Sequence, residues 1–399
     1  MLGDKRFLRT IKLRNILSFG PETPELELQS LNVLIGPNGA GKSNLIEAIG
    51  LLQSAPGNLL ESVRAGGGIA EWLWKGSDSA PVAEIDATVS YQPGTMPLRH
   101  RLSFTGGRYT VLVDEAIENE VSDRTGDSDD FHYRYQNGRP VLIVSNPAIG
   151  TRAPRTLLRE DLAPDQSIVS QRKDPYQYPE ITYLGNEYAK IKLFREWNLG
   201  RNTQPRRPQP TGMPSDFLRE DAANIALVLN DLEHRSNYRT RLVEQLREAD
   251  ATISDFSTKV LGGTIQLFLH YSGLSAPVPA TRLSDGTVRY LCLLAVLCHP
   301  EPPPLVCLEE PELGLHPDLV ARLAGLLVDA SHRMQLIVTT HSDVLVDGLS
   351  AVPEAVVVCE KEHGLTKMTR RTSAELAVWL KDYGLGQLWR RGEIGGNRW

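Results

Sequence analysis

One run of eight residues constrains this chain more than any other feature of its sequence. Residues 36–43 read Gly-Pro-Asn-Gly-Ala-Gly-Lys-Ser, between the apolar run Leu31–Ile35 and a stretch rich in apolar residues. Glycines let the backbone turn tightly with its N–H groups inward, and a helix starting near Lys42 adds free N–H groups and a positive dipole end. In such a loop the lysine reaches the β- and γ-phosphates, and the Ser43 hydroxyl is placed to ligate Mg²⁺. The run predicts a strand–loop–helix site for a nucleoside triphosphate, rather than a glycine-rich turn that binds nothing.

Length, charge and cysteine usage narrow the class of protein. A chain of 399 residues accommodates two or three domain-sized units, or one large α/β body with an insertion. The net charge of −6 argues against a wholly basic nucleic-acid binder but leaves room for a local basic patch. No apolar run approaches the roughly 20 residues of a membrane helix, and the N-terminus has no apolar signal core, so we expect a cytoplasmic protein without a membrane partner. The cysteines lack metal-binding spacing and are interpreted as reduced core thiols. They are Cys292, Cys298, Cys307 and Cys359.

Two adjacent carboxylates follow a predicted buried strand in the second half of the chain. The strand is Leu305–Leu308, and Glu309 and Glu310 come directly after it. Open α/β sheets place their chemistry at the carboxyl ends of strands. One carboxylate is needed there to support Mg²⁺ and another to orient or deprotonate the attacking water. Glu309 fits the first role and Glu310 the second, whereas Glu312 is interpreted as a helix-start or surface charge.

Two further motifs lie on either side of these carboxylates. Ser284 and Gly286 stand at the start of an apolar helix, where a hydroxyl and backbone N–H groups can hold a phosphate. Taken alone, this motif is weak, because a Ser or Asp cap serves any helix equally well. A second apolar strand ends in Thr339-Thr340-His341-Ser342. The order strand, carboxylates, helix, strand and histidine favours His341 as a sensor of the γ-phosphate over a satisfied polar residue.

In this order the motifs resemble those of ATP-binding-cassette (ABC) ATPases. Residues 36–43 match Walker A, residues 283–287 the LSGGQ-type signature, and residues 305–310 Walker B. Residues 314–317 match the D-loop, and His341 the switch histidine. The resemblance implies two subunits that meet head to tail and enclose two ATP molecules, each between the Walker A of one chain and the signature of the other. Binding then closes the dimer and hydrolysis opens it.

Finer features of the motifs resemble the SMC/RecF/OLD-like branch and its AAA-15 and AAA-21 predicted ATPases. Asn44 and Glu47 after the loop are typical of that branch, as are residues 310–317 and 340–342. Only 58 residues of the 399 follow His341, so we expect no TOPRIM nuclease domain of the OLD type. The catalytic residues implied are Glu310 and His341, and the Mg²⁺ ligands are Ser43 and Glu309. The implied ATP-binding residues are Gly36, Pro37, Asn38, Gly39, Ala40, Gly41, Lys42, Ser43, Asn44, Ser284 and Gly286.

The chain departs from the family pattern at three places. Glu309 stands where the family usually has Asp, and the extra methylene moves the carboxylate by about 1.5 Å. Asp285 replaces a signature glycine. The Q-loop glutamine is not placed, because Gln53 is too close to the loop, while Gln92 and Gln136 are only candidates.

We expect an α/β P-loop NTPase of the ABC-ATPase head type, with a mixed central sheet, an antiparallel β subdomain and an inserted helical and Pro-rich lobe. The predicted ranges are 1–150 for the N-terminal ATPase lobe, 151–260 for the inserted lobe, and 261–399 for the C-terminal ATPase lobe. Local patterns predict strands over 82–113 and 264–271 and a solvated acidic loop over 114–130. They also predict two helices, one through residues 218–232 capped by Ser215 or Asp216 and one over 238–249.

The predicted partners are a second copy of the chain, DNA, and a separately encoded effector such as a nuclease. Residues 151–215 carry eleven basic and seven acidic side chains interleaved with aromatics, which suits either DNA contact or a Pro-rich surface lobe. A transporter cassette is disfavoured, because Lys42 and Ser284 lie 242 residues apart. Two hypotheses remain: an ATP-driven switch in DNA repair or anti-phage defence, and an ATP-dependent scaffold that recruits or restrains a toxin or nuclease with little turnover.

Overall fold

The computed structural model describes residues 5–77, 80–94, 96–106, 110–120, 131–136, 139–146, 151–157, 162–163 and 165–396. The chain divides into two compact units. The first contains Met1–Lys192, Val357–Arg370 and Gly395–Trp399, and the second contains Leu193–Val356 and Arg371–Ile394. The predicted inserted lobe, residues 151–260, is therefore divided between the two units. The division into three lobes stays a prediction.

Strands and helices follow one another in runs along most of the chain. The strands are β1 (Leu8–Arg14), β2 (Leu26–Glu27), β3 (Leu31–Ile35), β4 (Ala83–Val89), β5 (Leu98–Gly106), β6 (Thr110–Asn119), β7 (Phe131–Gln136), β8 (Arg139–Asn146), β9 (Thr151–Thr156), β10 (Lys192–Phe194), β11 (Gln209–Pro210), β12 (Ile253–Leu261), β13 (Thr264–Tyr271), β14 (Val278–Pro279), β15 (Leu305–Glu309), β16 (Gln335–Thr339), β17 (Val356–Glu362) and β18 (Leu365–Arg370). The helices are α1 (Lys42–Ser54), α2 (Leu59–Ala65), α3 (Ile69–Trp72), α4 (Ile168–Gln171), α5 (Pro179–Lys190), α6 (Ile225–Glu233), α7 (Ser236–Ala249), α8 (Asp285–Leu297), α9 (Pro317–Ser331), α10 (Asp343–Asp347), α11 (Ser373–Leu376) and α12 (Leu385–Arg391).

An antiparallel sheet of eight strands forms much of the first unit, in the order β2-β1-β4-β5-β6-β7-β8-β9. In the β1–β4 pair, Ile11 lies opposite Ala87 and Leu13 opposite Ile85, and all four side chains are buried. Because side chains alternate along a strand, one such face packs into the core while the other carries polar groups. This sheet is the predicted antiparallel β subdomain.

The strand and helix that flank the glycine-rich loop also belong to the first unit. All five residues of β3 are buried, and β3 lies beside β17, which pairs with β18 in antiparallel register. Helix α1 begins at Lys42, as predicted, and buries Leu45, Ile46 and Ile49. A buried strand before the loop and a half-buried helix after it hold both ends of the loop in place.

In the second unit, β15 and β16 run parallel and in register. Leu305 lies opposite Gln335, and Glu309 lies opposite Thr339 at the end of each strand. Residues that follow the two strands therefore leave the sheet at the same edge. Helix α8 is buried along most of its length, and a separate small sheet contains β11, β12, β13 and β14.

Two local predictions were wrong. Residues 114–119 belong to β6 instead of a solvated loop, and Glu115 is buried, accepting a hydrogen bond from the Ile168 N–H at 2.9 Å. The remainder of that predicted loop, residues 121–130, lies outside the described residues. The predicted helix through 218–232 begins only at Ile225, because Asn224 builds a loop before it. The Asn224 amide donates to the carbonyls of residues 214 and 217 at 2.8 and 2.9 Å.

Other predictions are confirmed. Strand β13 spans the predicted residues 264–271, and α7 covers the predicted helix over 238–249. All four cysteines are buried thiols. Across the described part of the chain, none of the helices combines the length and the apolar composition that a membrane crossing requires.

Candidate nucleotide-binding site

The glycine-rich loop of the first unit opens directly onto the N-terminus of α1. Gly41 is the N-cap residue, with a left-handed φ of 94°, and within the described residues no side chain caps the helix. The buried Lys42 ammonium donates to the carbonyls of Gly36 and Pro37, at 2.8 and 2.9 Å. Ser43 is exposed at the first turn. An uncapped helix N-terminus beside a lysine is a site for an anion, and it fits the phosphates of a nucleotide.

A chain of hydrogen bonds supports this loop from behind. The Asn44 amide donates to Ser18 Oγ at 2.7 Å, and Ser18 Oγ lies 2.6 Å from Thr366 Oγ1. Thr366 Oγ1 in turn donates to the Ala40 carbonyl at 3.0 Å. A Cβ atom on Gly41 would lie 2.1 Å from Thr366 Oγ1. The loop can therefore pack against Thr366 only with glycine at position 41. Asn44, predicted to bind nucleotide, thus has its amide directed at Ser18.

The signature motif of the second unit forms the N-terminus of α8. Ser284 Oγ accepts a hydrogen bond from the Thr287 N–H at 3.0 Å, so the serine acts as a helix N-cap. A Cβ atom on Gly286 would lie 2.7 Å from the Gly314 carbonyl oxygen. Glycine at position 286 therefore lets the signature helix pack directly on the D-loop.

A buried arginine holds the turn before α8. Arg206 is 2% exposed, and its Nε donates to the Leu199 carbonyl at 2.5 Å. Its Nη1 donates to the carbonyls of Ala280 and Leu283, at 3.2 and 2.5 Å, and its Nη2 pairs with the Asp285 carboxylate. Asp285, which replaces a signature glycine, is thus one half of an ion pair that anchors the signature turn.

The same arginine bears on the two interpretations of residues 151–215, DNA contact or a Pro-rich lobe. Arg206 is unavailable to a DNA phosphate, whereas its neighbour Arg207 is exposed. Among the aromatic side chains, Tyr188 and Phe194 are buried, while Tyr176 is 74% exposed. For the buried members, packing into the body of the protein is the better interpretation.

The carboxylate end of β15 brings Glu310 and His341 together. The Glu310 N–H donates to the Thr339 carbonyl at 3.0 Å, which joins the ends of the two parallel strands. Glu310 has a φ of 43°, a left-handed conformation that is uncommon outside glycine and is enriched at functional sites. Its Oε1 lies 3.5 Å from His341 Nε2. A carboxylate and an imidazole that face each other can share a proton or a water molecule.

Glu309 has a different environment from Glu310. Its Oε1 lies 3.6 Å from Nε of Arg195, and its side chain is 18% exposed, half the value of Glu310. Among the described residues, no three His, Cys, Asp or Glu side chains form a group that could hold a metal ion. The donors present fit Mg²⁺ only if phosphate oxygens complete its coordination, which is how proteins usually bind this ion.

Glu312 is not the helix-start or surface charge predicted from the sequence. Its Oε1 accepts hydrogen bonds from Thr340 Oγ1 at 2.5 Å and from the His341 N–H at 3.0 Å. Burial raises the pKa of its carboxyl, and its hydrogen bonds to Thr340 and His341 offset part of that rise. This residue belongs to the site.

A comparison with known families identifies the chain. The model of the family described as "AAA domain, putative AbiEii toxin, Type IV TA system" matches residues 31–347. The chain belongs to this family. The matched range of this AAA-domain protein begins at β3 and ends in α10, so it contains every motif that the sequence predicts for the site.

Two curated proteins are similar to parts of this AAA-domain protein. Over 120 residues, 30% of the chain, it is 32% identical to the DNA replication and repair protein RecF of Oenococcus oeni. Over 255 residues, 63% of the chain, it is 24% identical to the chromosome partition protein Smc of Coxiella burnetii. The matched parts are 29% and 20% of those proteins, so the chain spans less than a third of either relative.

Solved structures of Smc heads share its fold. One is an Smc head bound to the C-terminal winged-helix domain of ScpA, with a TM-score of 0.57 at 15% identity, covering 92% of this chain and 99% of that one. Another, from Pyrococcus furiosus, is an Smc head with an extended coiled coil bound to the C-terminal domain of ScpA, with a TM-score of 0.54 at 14% identity, covering 94% and 99%. The predicted ABC-head fold and SMC/RecF-like branch are confirmed.

Sequence reasoning missed three residues that shape the site of this AAA-domain protein. Arg206 has no local signal, because it lies 79 residues from its partner Asp285. Thr366 lies 326 residues from the loop it supports. Glu312 had one available signal, since it is the third acid of a Glu-Glu-Pro-Glu run. Gln92 and Gln136 stay candidates for the Q-loop glutamine.

Proposed function

We propose that this protein binds ATP together with Mg²⁺ and hydrolyses it to ADP and phosphate. The observation that carries the proposal is the pairing of Glu310 with His341 at the carboxyl end of β15, 3.5 Å apart, in a chain that also has an uncapped P-loop helix. A loop that only bound nucleotide would have no use for a strained carboxylate facing a histidine. The family to which the chain belongs supports the same chemistry.

Each site residue has a role in this proposal. Lys42 binds the β- and γ-phosphates, and Ser43 and Glu309 are the ligands that would hold Mg²⁺. A bound Mg²⁺ would screen the charge of the phosphates. Glu310 orients the attacking water and accepts its proton, and His341 donates a hydrogen bond toward the γ-phosphate.

We further propose that two copies of the chain meet head to tail. Ser284 and Gly286 of one copy then approach the phosphates held by the P-loop of the other, so that a C2 dimer holds two ATP molecules. Binding and hydrolysis switch this dimer between closed and open states, and the switch acts on DNA or on a separately encoded effector such as a nuclease. The names of the RecF and Smc relatives favour a DNA-linked role, and anti-phage defence is a second setting.

One observation favours the alternative of an ATP-dependent scaffold with little turnover. Glu309 replaces the usual Asp and lies near the Arg195 guanidinium, a cation that competes with Mg²⁺ for the carboxylate. If that pair persists with nucleotide present, ATP binds and the dimer forms, but hydrolysis is slow. The chain would then recruit or restrain a toxin or nuclease.

Two variants test the proposed activity by separating binding from hydrolysis. Lys42→Ala removes a charged hydrogen-bond donor and is expected to weaken ATP binding roughly 10- to 100-fold. Glu310→Gln keeps the shape of the site but loses the base, so phosphate release should fall by about 10²–10⁴-fold with ATP affinity nearly unchanged. Binding is measured with a fluorescent ATP analogue and turnover by phosphate release.

Glu301→Gln is the matched control, because Glu301 is an acid of the same unit with a side chain 79% exposed. It should leave both quantities unchanged. Wild-type protein that binds no ATP would overturn the proposal, and a Glu310→Gln variant that turns over normally would remove Glu310 from its role. Tight binding with negligible wild-type turnover would support the scaffold.

A further inference from the structure

The buried carboxylate of Glu312 joins the two loops that carry Glu310 and His341. Glu312 lies in the turn after β15, and its Oε1 accepts hydrogen bonds from both Thr340 Oγ1 and the His341 N–H, at 2.5 and 3.0 Å. Its other oxygen, Oε2, is buried and has no hydrogen-bond partner within the described residues. One oxygen therefore accepts both hydrogen bonds, and the other accepts none from the described residues.

The hydrogen bonds continue from Thr340 into the next helix. Thr340 Oγ1 accepts from the Ser342 N–H at 2.9 Å, and Ser342 Oγ caps α10 by accepting from the Leu345 N–H at 3.2 Å. On the other side of His341, the Thr339 carbonyl accepts the Glu310 N–H. The histidine is thus held by its own backbone N–H and by both flanking residues.

We propose that Glu312 is a positioning residue that sets His341 against Glu310 through its hydrogen-bond acceptor, with no need for its charge. The inference rests on the proposed hydrolysis, because that reaction gives the pair its task. A metal ligand or a general base would need an ionised carboxylate that reaches solvent or a cation. Oε2 is buried away from solvent and accepts no hydrogen bond from the described residues, and burial raises the pKa of this carboxyl, which disfavours its charged form.

The two carboxylates should therefore respond in opposite ways to the same substitution. Gln keeps a carbonyl oxygen where Glu312 has Oε1, so Glu312→Gln should retain kcat within about threefold, whereas Glu310→Gln loses the base. Glu312→Ala leaves Thr340 and His341 without their acceptor, and kcat should fall about 10- to 100-fold with little change in KM. Rescue by Gln and an effect confined to kcat distinguish positioning from a general loss of structure.

Thr340→Val provides a second route if Glu312→Ala does not fold. Thr340 is fully buried, and Val has nearly its shape without the hydroxyl, so kcat should fall in the same direction while the loop keeps its packing. A Glu312→Gln variant as inactive as Glu310→Gln would overturn the inference, because charge would then be essential. A Glu312→Ala or Thr340→Val variant with wild-type kcat would overturn it equally.

A spectroscopic measurement separates failure of this inference from failure of the proposed function. In protein labelled at its histidines, the His341 imidazole signal is assigned with a His341→Ala variant. The signal should move in Glu312→Ala and stay in Glu312→Gln, whether or not the protein hydrolyses ATP. Equal shifts in both variants, or none in either, would contradict the positioning role, whereas absent wild-type turnover would contradict only the proposed hydrolysis.

Discussion

The phosphate-binding loop and the carboxylate end of β15 use different kinds of chemical group. In the loop, the groups that would meet a ligand are backbone N–H groups and one lysine, all within residues 36–44. At the end of β15, the reacting groups are side chains, and each is held by a residue from elsewhere in the sequence. Glu312 and Thr340, which bond there, are 28 residues apart.

This difference separates what a local motif specifies from what it leaves open. Eight contiguous residues determine the conformation of the loop, and the side chains behind it, such as Thr366, only reinforce it. At the carboxylate end of β15, short motifs identify Glu310 and His341, but they do not identify the residues that hold these two side chains in place. Outside the loop, replacing a buried residue that supports the site from elsewhere in the sequence should therefore reduce stability or activity more than replacing an exposed neighbour of that residue.

The largest effect of losing a distant support is expected in a third region, the signature turn, which Arg206 holds. Arg206→Ala leaves the buried carbonyls of Leu199 and Leu283 without their donor and frees Asp285. The free energy of unfolding should fall by about 2–4 kcal/mol, and ATP-dependent dimerisation should weaken because the signature turn loses its anchor. Urea denaturation and size exclusion with ATP measure the two effects.

The exposed neighbour Arg207 provides the control for this prediction. Arg207→Ala should change the free energy of unfolding by no more than about 0.5 kcal/mol and leave dimerisation intact. Equal effects of the two substitutions would show that the signature turn does not depend on its distant support. That result would contradict the idea that parts of the site outside the loop depend on residues distant in the sequence.

The sequence predicted the parts of the fold whose causes are local. The loop, α1, β13 and β15 lie where the patterns place them, because each is encoded by contiguous apolar residues with glycine or carboxylates at one end. The start of α6 was mispredicted for the opposite reason. Asn224 bonds to carbonyls up to ten residues earlier and so converts an apolar helical pattern into a loop.

Charged residues were the other source of error, because composition does not reveal burial. Glu115 was assigned to an acidic solvated loop, yet it is buried beside His100, with 3.1 Å between Oε1 and Nε2. Arg206 lies in the range for which DNA contact was one of two interpretations, and Glu312 was assigned to a helix start or a surface charge; both are internal hydrogen-bond partners. A charged residue can be buried only with partners, and those partners are distant in the chain.

A smaller effect of pH should follow from the burial of Glu312. Its pKa is raised in the folded protein, so the native state binds more protons than the unfolded state and loses stability as pH rises through that pKa. The Glu312→Gln variant has no carboxyl group at this position, so its stability does not fall for this reason as pH rises. The free energy of unfolding of the wild type, relative to Glu312→Gln, should therefore decrease as pH rises above about 4.3, the ordinary pKa of a glutamate. A difference that does not change as pH rises would mean that burial does not raise the pKa of Glu312.

The central claim is that each ATP is bound by the loop of one chain and the signature of another. Two variants that are each expected to be inactive test it most directly: Lys42→Ala, assayed at an ATP concentration too low to fill its weakened loop, and Ser284→Arg, which blocks the signature. After subunit exchange in an equal mixture, half of the dimers contain one of each. In these dimers one site combines both lesions, and the other has an intact Lys42 facing an intact Ser284.

This mixture should recover roughly a quarter of wild-type phosphate release, although each variant alone is inactive. Covalently linked dimers with the same two lesions should have about half of the wild-type rate, since every dimer then has one intact site. A linked dimer without activity, alongside an active linked wild type, would contradict the claim of independent shared sites.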